Sequence, residues 1–169
     1  MHVLKEIQQW VSIKNFTHEK VDDKSLERIL EAGRRAPSAK NRQPWRFIVC
    51  RNENVREKIK EASYGQEHVG QAPVIIAACT TNIEYTMPNG QLSYPVDISI
   101  ASTFMLLQSK AEGLGACMVT TFDEEEIKEI LSIPYSMRIV MLLLLGHPAE
   151  TPMLNTRKSL SRIVGYDHW

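Results

Sequence analysis

Charge of one sign is missing from this sequence: 20 Lys and Arg stand against 20 Asp and Glu. That balance removes the bulk electrostatic argument for a nucleic acid or an acidic membrane surface as partner. Long apolar runs are missing too. The longest, Ile139 to Leu145, falls far short of the roughly 20 residues of a spanning helix, so no membrane partner is expected. Cysteine is scarce. Cys50, Cys79 and Cys117 lie far apart, each inside an apolar run, with no CxxC and no Cys/His cluster. The odd count argues against a disulfide framework, and the three read as small buried residues in a reducing compartment. The five histidines, His2, His18, His68, His147 and His168, form neither HExxH nor an i,i+4 pair, and no metal site is expected. No GxGxxG follows a strand and no P-loop occurs, so the common nucleotide cradles are absent. The opening MHVLKEIQQW is amphipathic with no unbroken apolar core and does not read as a signal peptide. Together these exclusions predict a soluble cytoplasmic protein of one domain, residues 1–169.

What is present is a mixture of helical and strand periods. Val3, Leu4, Ile7, Trp10 and Val11 recur at helical spacing and predict a first amphipathic helix. Asp22 or Asp23 caps a second, striped by Leu26, Ile29, Leu30 and Gly33 and stopped by Pro37. Strands are predicted at Arg46 to Cys50, Pro73 to Cys79, Ala116 to Thr120 and Arg138 to Leu145. A short helix carries Val55, Ile59 and Ala62, and another carries Ile127, Ile130 and Leu131 behind the capping-box pair Asp123 and Glu126. The acidic Glu124, Glu125 and Glu126 suit that helix start. Residues 81–95, with turn chemistry at Pro88, Asn89 and Gly90, read as a surface loop. A long helix from about Val96 to Glu112, ended by Gly113, is apolar over more than one face, which points to a central or interfacial position. Met105, Met118, Met137 and Met141 read as core filler. Past Pro148 the chain is polar but keeps Leu154, Leu160, Ile163, Val164 and Trp169, more apolar weight than a disordered tail carries. Alternating strands and helices suggest by default a doubly wound parallel sheet; the pattern alone stops at mixed α and β, with one sheet between helices.

The segment from Ala36 to Trp45, APSAKNRQPW, lies between a helix end and a strand and is bracketed by two prolines that stiffen it. Ser38, Asn41 and Gln43 place donors and acceptors on this rigid loop, which suits the edge of a flat heteroaromatic ring. The same residues could equally cap the helix and turn the chain, and the residues alone do not decide between the two.

This segment resembles the APSxxNxQPWxF signature of the nitroreductase-like flavoproteins at every fixed position. Further elements are similar in order: Ser12 to Phe16 to the end of the family's N-terminal arginine/serine motif, Gln71 to Ile75 to its AP-plus-strand, and Asp97 and Ala101 to the opening of its central helix. Ala111 to Cys117 resembles its AxGLGxC stretch, Leu144 to Pro148 its GxP element, and Arg157 to Leu160 its closing arginine motif. The resemblance implies an α+β fold: a three-layer α-β-α sandwich forming an intertwined homodimer, with residues 150–169 as a tail crossing to the partner. It overrules the parallel default.

It also implies a cofactor, flavin mononucleotide (FMN), at two sites in the dimer interface, with NADH or NADPH as co-substrate. By resemblance Ser12, Lys14, Arg157 and Lys158 face the FMN phosphate or ribityl chain, where cations are required. Pro37, Ser38, Ala39 and Asn41 line the flavin from the other subunit, with Gln43 nearby and Arg35 a further candidate. Val119, Thr120 and Thr121 present backbone N–H groups toward the flavin N5 and O4 edge. No side chain is assigned as catalytic, because the cofactor carries the chemistry. The implied reaction is ping-pong hydride transfer to a small-molecule acceptor such as a nitroaromatic or a quinone. Two departures stand out: Trp10 and Val11 where basic residues are common, and Thr120 where glycine is usual. Alternative readings are a flavin-binding or FMN-trafficking protein without turnover, or a member with another flavin reaction such as flavin fragmentation or dehalogenation.

Overall fold

A computed structural model describes residues 3–153 and 156–169; Leu154 of the predicted apolar tail and His2 lie outside the described residues. The elements run α1 (Lys5–Gln8), α2 (Asp23–Arg34), a 3-10 turn (Ala39–Asn41), β1 (Trp45–Cys50), α3 (Glu53–Ala62), α4 (Glu67–Gln71) and β2 (Val74–Thr80). They continue through α5 (Ser93–Ala111), β3 (Gly115–Val119), α6 (Glu124–Leu131), β4 (Arg138–Gly146) and a second 3-10 turn (Leu160–Arg162).

The four strands form one sheet in the order β1-β2-β4-β3, and every neighbouring pair is antiparallel. The parallel default fails because β4 inserts between β2 and β3. Those two run the same way but never touch. Val140 is left over in a bulge, where Ala78 opposes Met141 and Cys79 opposes Ile139.

Side chains alternate across this sheet into two cores. Ile75, Ala77, Cys79, Leu142 and Leu144 meet Ile59 of α3, Val69 of α4 and Ile127 of α6 on one face. Val74, Ile76, Ala78, Leu143 and Leu145 meet Ile29 of α2 and Ile98, Ala101 and Met105 of α5 on the other. This is a three-layer α-β-α sandwich. Leu142 through Leu145 are wholly buried, each contributing about 1.5–3 kcal/mol of burial. All three cysteines are buried free thiols, and burial raises the thiol pKa of Cys79 to about 12. Among the described residues no helix is long and apolar enough to cross a membrane, and no group of three or more His, Cys, Asp and Glu could hold a metal ion.

Several local expectations need correcting. The first helix is one turn, because the chain beyond Trp10 is drawn against the sheet: Val11, Ile13 and Phe16 are buried in the α3/α6-side core while Lys14 and Asn15 are exposed. The capping box of α6 is half made. Asp123 accepts the Glu126 N–H at 3.0 Å, but its own N–H donates to the carbonyl of Ala62. Residues 81–95 are not all loop: Thr86 bridges Leu92 and α5 starts at Ser93. The short α4 was not anticipated, its single buried apolar residue, Val69, giving no period to read. Met105 and Met141 are buried, whereas Met118 is exposed on β3.

The α5 helix ends as its sequence requires. Gly113 has φ +76°, and the Leu114 N–H returns to the Ser109 carbonyl at 2.9 Å in a Schellman closure. Beside it, Glu112 ties α5 to α2, accepting from Arg28 Nε at 2.8 Å, from the Ser25 hydroxyl at 3.0 Å and from Gln108 at 2.7 Å. The bond from Arg28, aided by those from Gln108 and Ser25, outweighs desolvation and holds the Glu112 carboxyl at about 2. A depressed carboxyl pKa stabilises the fold above the unfolded value and ceases to do so as pH falls through the folded one. Glu112→Gln should therefore lower stability near neutral pH by about 1 kcal/mol. It should also flatten the loss of stability between roughly pH 4.5 and 2. Denaturant melts at neutral and acid pH check this; an unchanged acid limb would show that the Arg28 pair contributes nothing.

Candidate functional site

The N-terminal segment reaches the sheet through a gap made by two glycines. Gly115 and Gly146 face each other in the β3–β4 register. A Cβ on Gly115 would lie 2.7 Å from Ile13 Cγ1, and one on Gly146 would lie 2.5 Å from Pro73 Cδ and 2.9 Å from Phe16. The space they leave admits residues 11–17. Ile13 N–H donates to the Ala116 carbonyl at 3.0 Å, Thr17 N–H to His147 and Ala149 N–H to Asn15. With Val11, Ile13 and Phe16 turned inward, Lys14 is left outside and Ser12 half-exposed beside β3.

These residues gather with others expected for cofactor binding. The Ser12 hydroxyl and the Lys14 charge both act on the thiol of Cys117 in β3, although burial dominates and raises its pKa. His68 of α4 is half-buried; desolvation first, and the Lys14 charge second, lower its pKa. Gln66 donates to the Thr121 carbonyl at 2.8 Å and steadies the 119–121 turn. Among the described residues, neither Thr120 nor Thr121 donates its N–H to a loop or turn carbonyl, and both residues are exposed. Gln66 and His68 were missed from the sequence, because nothing in their spacing brings α4 to β3. Val11 lies in the core, so a cation at that position would have to be buried; Trp10 packs against the other core.

The second group sits on the loop between α2 and β1. Lys40, Asn41 and Gln43 have φ of 53°, 53° and 51°, a left-handed conformation that non-glycine residues adopt rarely. Besides the turn bonds from Asn41 N–H to the Ser38 carbonyl and from Arg42 N–H to the Ala39 carbonyl, two backbone N–H groups donate to side chains. Ala39 N–H donates to Asp97 Oδ1 at 2.8 Å, and Gln43 N–H donates to the Ser38 hydroxyl oxygen at 2.9 Å. Asp97 is buried in α5, and among the described residues its Oδ2 has no hydrogen-bond partner; nor has the Ser93 hydroxyl one turn earlier. Gln43 spends part of its amide on the Asn41 carbonyl, while the exposed Asn41 amide bonds to no group among the described residues. Tyr85, from the 81–92 segment, covers Lys40 and Arg42, and the adjacent Arg42 and Lys40 lower its phenol pKa. Arg35 turns back onto Glu31 of α2 at 2.7 Å. Arg157 and Lys158 lie on the exposed tail.

The two groups are thus separate within one chain. The Pro37–Gln43 loop and the 119–121 turn lie at the end of the sheet where β1 begins and β3 finishes, whereas Ser12 and Lys14 enter from the start of β3. The two groups flank opposite edges, three strand spacings or roughly 14 Å apart. The Pro37–Gln43 loop is anchored to α5, whereas Ser12 and Lys14 adjoin Cys117 in the core on the α3/α6 side. Their chemistry fits a phosphorylated flavin. Lys14 has no carboxylate partner among the described residues and can meet a phosphate. The N–H groups at Thr120 and Thr121, which donate to no loop or turn carbonyl among the described residues, and the amide of Asn41 can meet the carbonyl and ring-nitrogen edge of an isoalloxazine.

Comparison with known proteins gives a concordant result. The family model described as "Nitroreductase family" matches residues 7–67 and 62–147. An NADH dehydrogenase of Thermus thermophilus is 31% identical over 190 aligned positions, covering 90% of each chain. The FMN reductase [NAD(P)H] of Bacillus subtilis is 28% identical over 165 residues, covering 88% of this chain and 66% of its own. The crystal structure of a nitroreductase family protein from Clostridium difficile superimposes with a TM-score of 0.87 at 30% identity, over the full length of both chains.

Because desolvation persists without the Lys14 charge, Lys14→Met should raise the His68 pKa only part of the way toward its ordinary value. A ring-proton NMR titration of both proteins reads this directly. An unmoved His68 would mean that Lys14 points elsewhere in solution.

Proposed function

The chain belongs to the nitroreductase family, and we propose that it is an FMN-dependent oxidoreductase, using NADH or NADPH to reduce small acceptors such as nitroaromatics and quinones. The observation that carries this reading is the division of flavin-compatible groups into two halves, each incomplete alone. Bound FMN supplies two-electron chemistry between a reduced nicotinamide and the acceptor. The residues bind, orient and shield it. Lys14 and Ser12 hold the phosphate end, joined by Arg157 and Lys158 of the tail. The backbone from Val119 to Thr121 directs N–H donors at the polar edge of the ring, where accumulating negative charge is stabilised. Pro37, Ser38, Ala39, Asn41 and Gln43 cover the ring from the other side.

We place those two sides on different subunits of a homodimer. One chain separates them by sheet width and by face, and a second copy brings them together. The surface supports this. Val96, Ile100, Phe104 and Leu107 form a stripe along α5 that stays partly open, with Val96 and Phe104 each 40% exposed. The tail residues Leu160, Ile163, Val164 and Trp169 are exposed as well. Apolar surface of this extent is what an interface covers, and the tail is proposed to cross the partner.

Two experiments test the reading. Protein reconstituted with FMN and mixed anaerobically with NADH or NADPH should lose its oxidised flavin absorbance and regain it on adding a quinone. Bound flavin that stays oxidised with both nicotinamides would favour a flavin carrier without turnover. For shared sites, Lys14→Ala and Asn41→Ala should each weaken FMN binding. Co-refolding the two variants should then restore about a quarter of the wild-type sites, because half the dimers are mixed and each holds one intact site. No recovery, alongside proven mixed dimers, would place both residues in one chain's site.

A further inference from the structure

Most arginines of α2 and the sheet ends are matched by carboxylates: Arg28 by Glu112, Arg34 and Arg35 by Glu31, Arg51 by Asp23 and Arg138 by Glu124. Lys40 and Arg42 differ. Among the described residues neither has a carboxylate partner, although both are exposed and two positions apart. Instead both lie over one ring, with Arg42 Cζ 3.7 Å and Lys40 Nζ 5.4 Å from the centroid of Tyr85. An aromatic face attracts each cation but carries no net charge, so the two positive charges remain unneutralised side by side. Glu84, next to Tyr85 in sequence, pairs with neither.

This arrangement is held in place from below. Lys40 has φ 53° and ψ 26°, and the bonds to Asp97 and Ser38 fix the backbone on either side of it. Tyr85 is tied to the start of α5 by its carbonyl, which accepts from Ser93 N–H at 3.0 Å. Backbone strain at a non-glycine residue persists where its surroundings enforce it, and such positions cluster at functional sites. The Arg42 guanidinium also meets the Tyr85 phenol oxygen and lowers its pKa; with five N–H donors it keeps others to offer an oxyanion, for which its planar fork is suited.

We infer that Lys40 and Arg42, mounted on Tyr85, form an oxyanion subsite at the mouth of the flavin site, selecting substrates that carry a phosphate or carboxylate away from the reacting ring. The inference rests on the reading that the Pro37–Gln43 loop faces the flavin. Two sources present this chemistry: the 2′-phosphate that distinguishes NADPH from NADH, and the carboxylate of an acidic aromatic acceptor.

The test compares FMN-loaded wild type with Lys40→Gln and with Lys40→Gln/Arg42→Gln. Binding without turnover comes first, by calorimetry with adenosine 2′,5′-bisphosphate and with adenosine 5′-monophosphate. Kinetics follow with NADPH, NADH and N-benzyl-dihydronicotinamide as donors, then with 4-nitrobenzoate and 4-nitrobenzamide as acceptors. In a ping-pong scheme kcat/KM for donor and for acceptor report separate half-reactions, so the two sources separate. If the phosphate is the ligand, the bisphosphate binds wild type more tightly than the monophosphate. The double variant then loses that margin, and kcat/KM for NADPH relative to the benzyl donor falls roughly ten- to a hundred-fold. If the carboxylate is the ligand, the nitrobenzoate-to-nitrobenzamide ratio falls instead. Lys40→Gln leaves the Arg42–Tyr85 stack in place and should give a smaller change of the same kind, which guards against loss of the loop itself. Charged-to-uncharged ratios equal in wild type and both variants would overturn the subsite while leaving the oxidoreductase reading intact. Failure of the wild-type flavin to accept electrons even from the benzyl donor would overturn that reading; calorimetry of the two adenosine phosphates, and of 4-nitrobenzoate against 4-nitrobenzamide, on wild type and both variants would still judge the subsite.

Discussion

Two glycines opposite each other on neighbouring strands govern where the candidate site can form. Gly115 and Gly146 leave the β3–β4 end bare of side chains, and Ile13 and Phe16 occupy that space. Any Cβ at Gly115 would approach three atoms of Ile13 within 3 Å, so the segment would have to lift. Ser12 and Lys14 would lift with it. Their placement beside Cys117 and His68 is therefore a packing outcome first and an electrostatic one second. The alternation of buried Val11 and Ile13 with outward Ser12 and Lys14 converts a close approach of backbone into a fixed position for a cation.

The opposite half of the site is governed differently. Its loop carries three left-handed non-glycine residues, a conformation with an intrinsic cost of order 1–3 kcal/mol per residue. Asp97 offsets part of it by accepting the Ala39 N–H from a buried position on α5. Because α5 also carries the partly open stripe of Val96, Ile100 and Phe104, one helix both anchors the 37–43 loop and presents the apolar surface assigned above to the proposed dimer. In the proposed dimer, contact at that surface would bear on the loop through Asp97.

Much of the fold was legible because the strongest signals were local. The caps at Asp22 and Asp123, the end of α5 at Gly113 and the four strands were all set by chemistry within a few residues. Strand direction was not. β2 and β4 are buried on both faces, so Val74–Thr80 and Arg138–Gly146 read as continuous apolar runs like those of a parallel sheet, and nothing local shows that β4 lies between β2 and β3. The first helix was overread for a related reason: Leu4, Ile7, Trp10 and Val11 satisfy a helical period, but burial of Val11, Ile13 and Phe16 draws the chain into an extended form. The Ala36 to Trp45 signature was legible as a motif. Its backbone, left-handed at Lys40, Asn41 and Gln43, was not, since none of these is a glycine. Gln66 and His68 were invisible because their relation to Lys14 and Thr121 depends on how α4 meets β3.

The sheet's width gives the argument its last step. The loop before β1 and the turn after β3 lie at the same end of the sandwich, yet two strands separate them, and they adjoin opposite layers. Within one chain the two places are held apart by the paired strands β2 and β4. Evolution toward a single-chain site would require bringing β1 and β3 together, which the core of β2 and β4, the most thoroughly buried part of the protein, prevents. A second copy offers the missing half without disturbing that core. The strands that stabilise the fold thus set the separation that the proposed shared site would bridge.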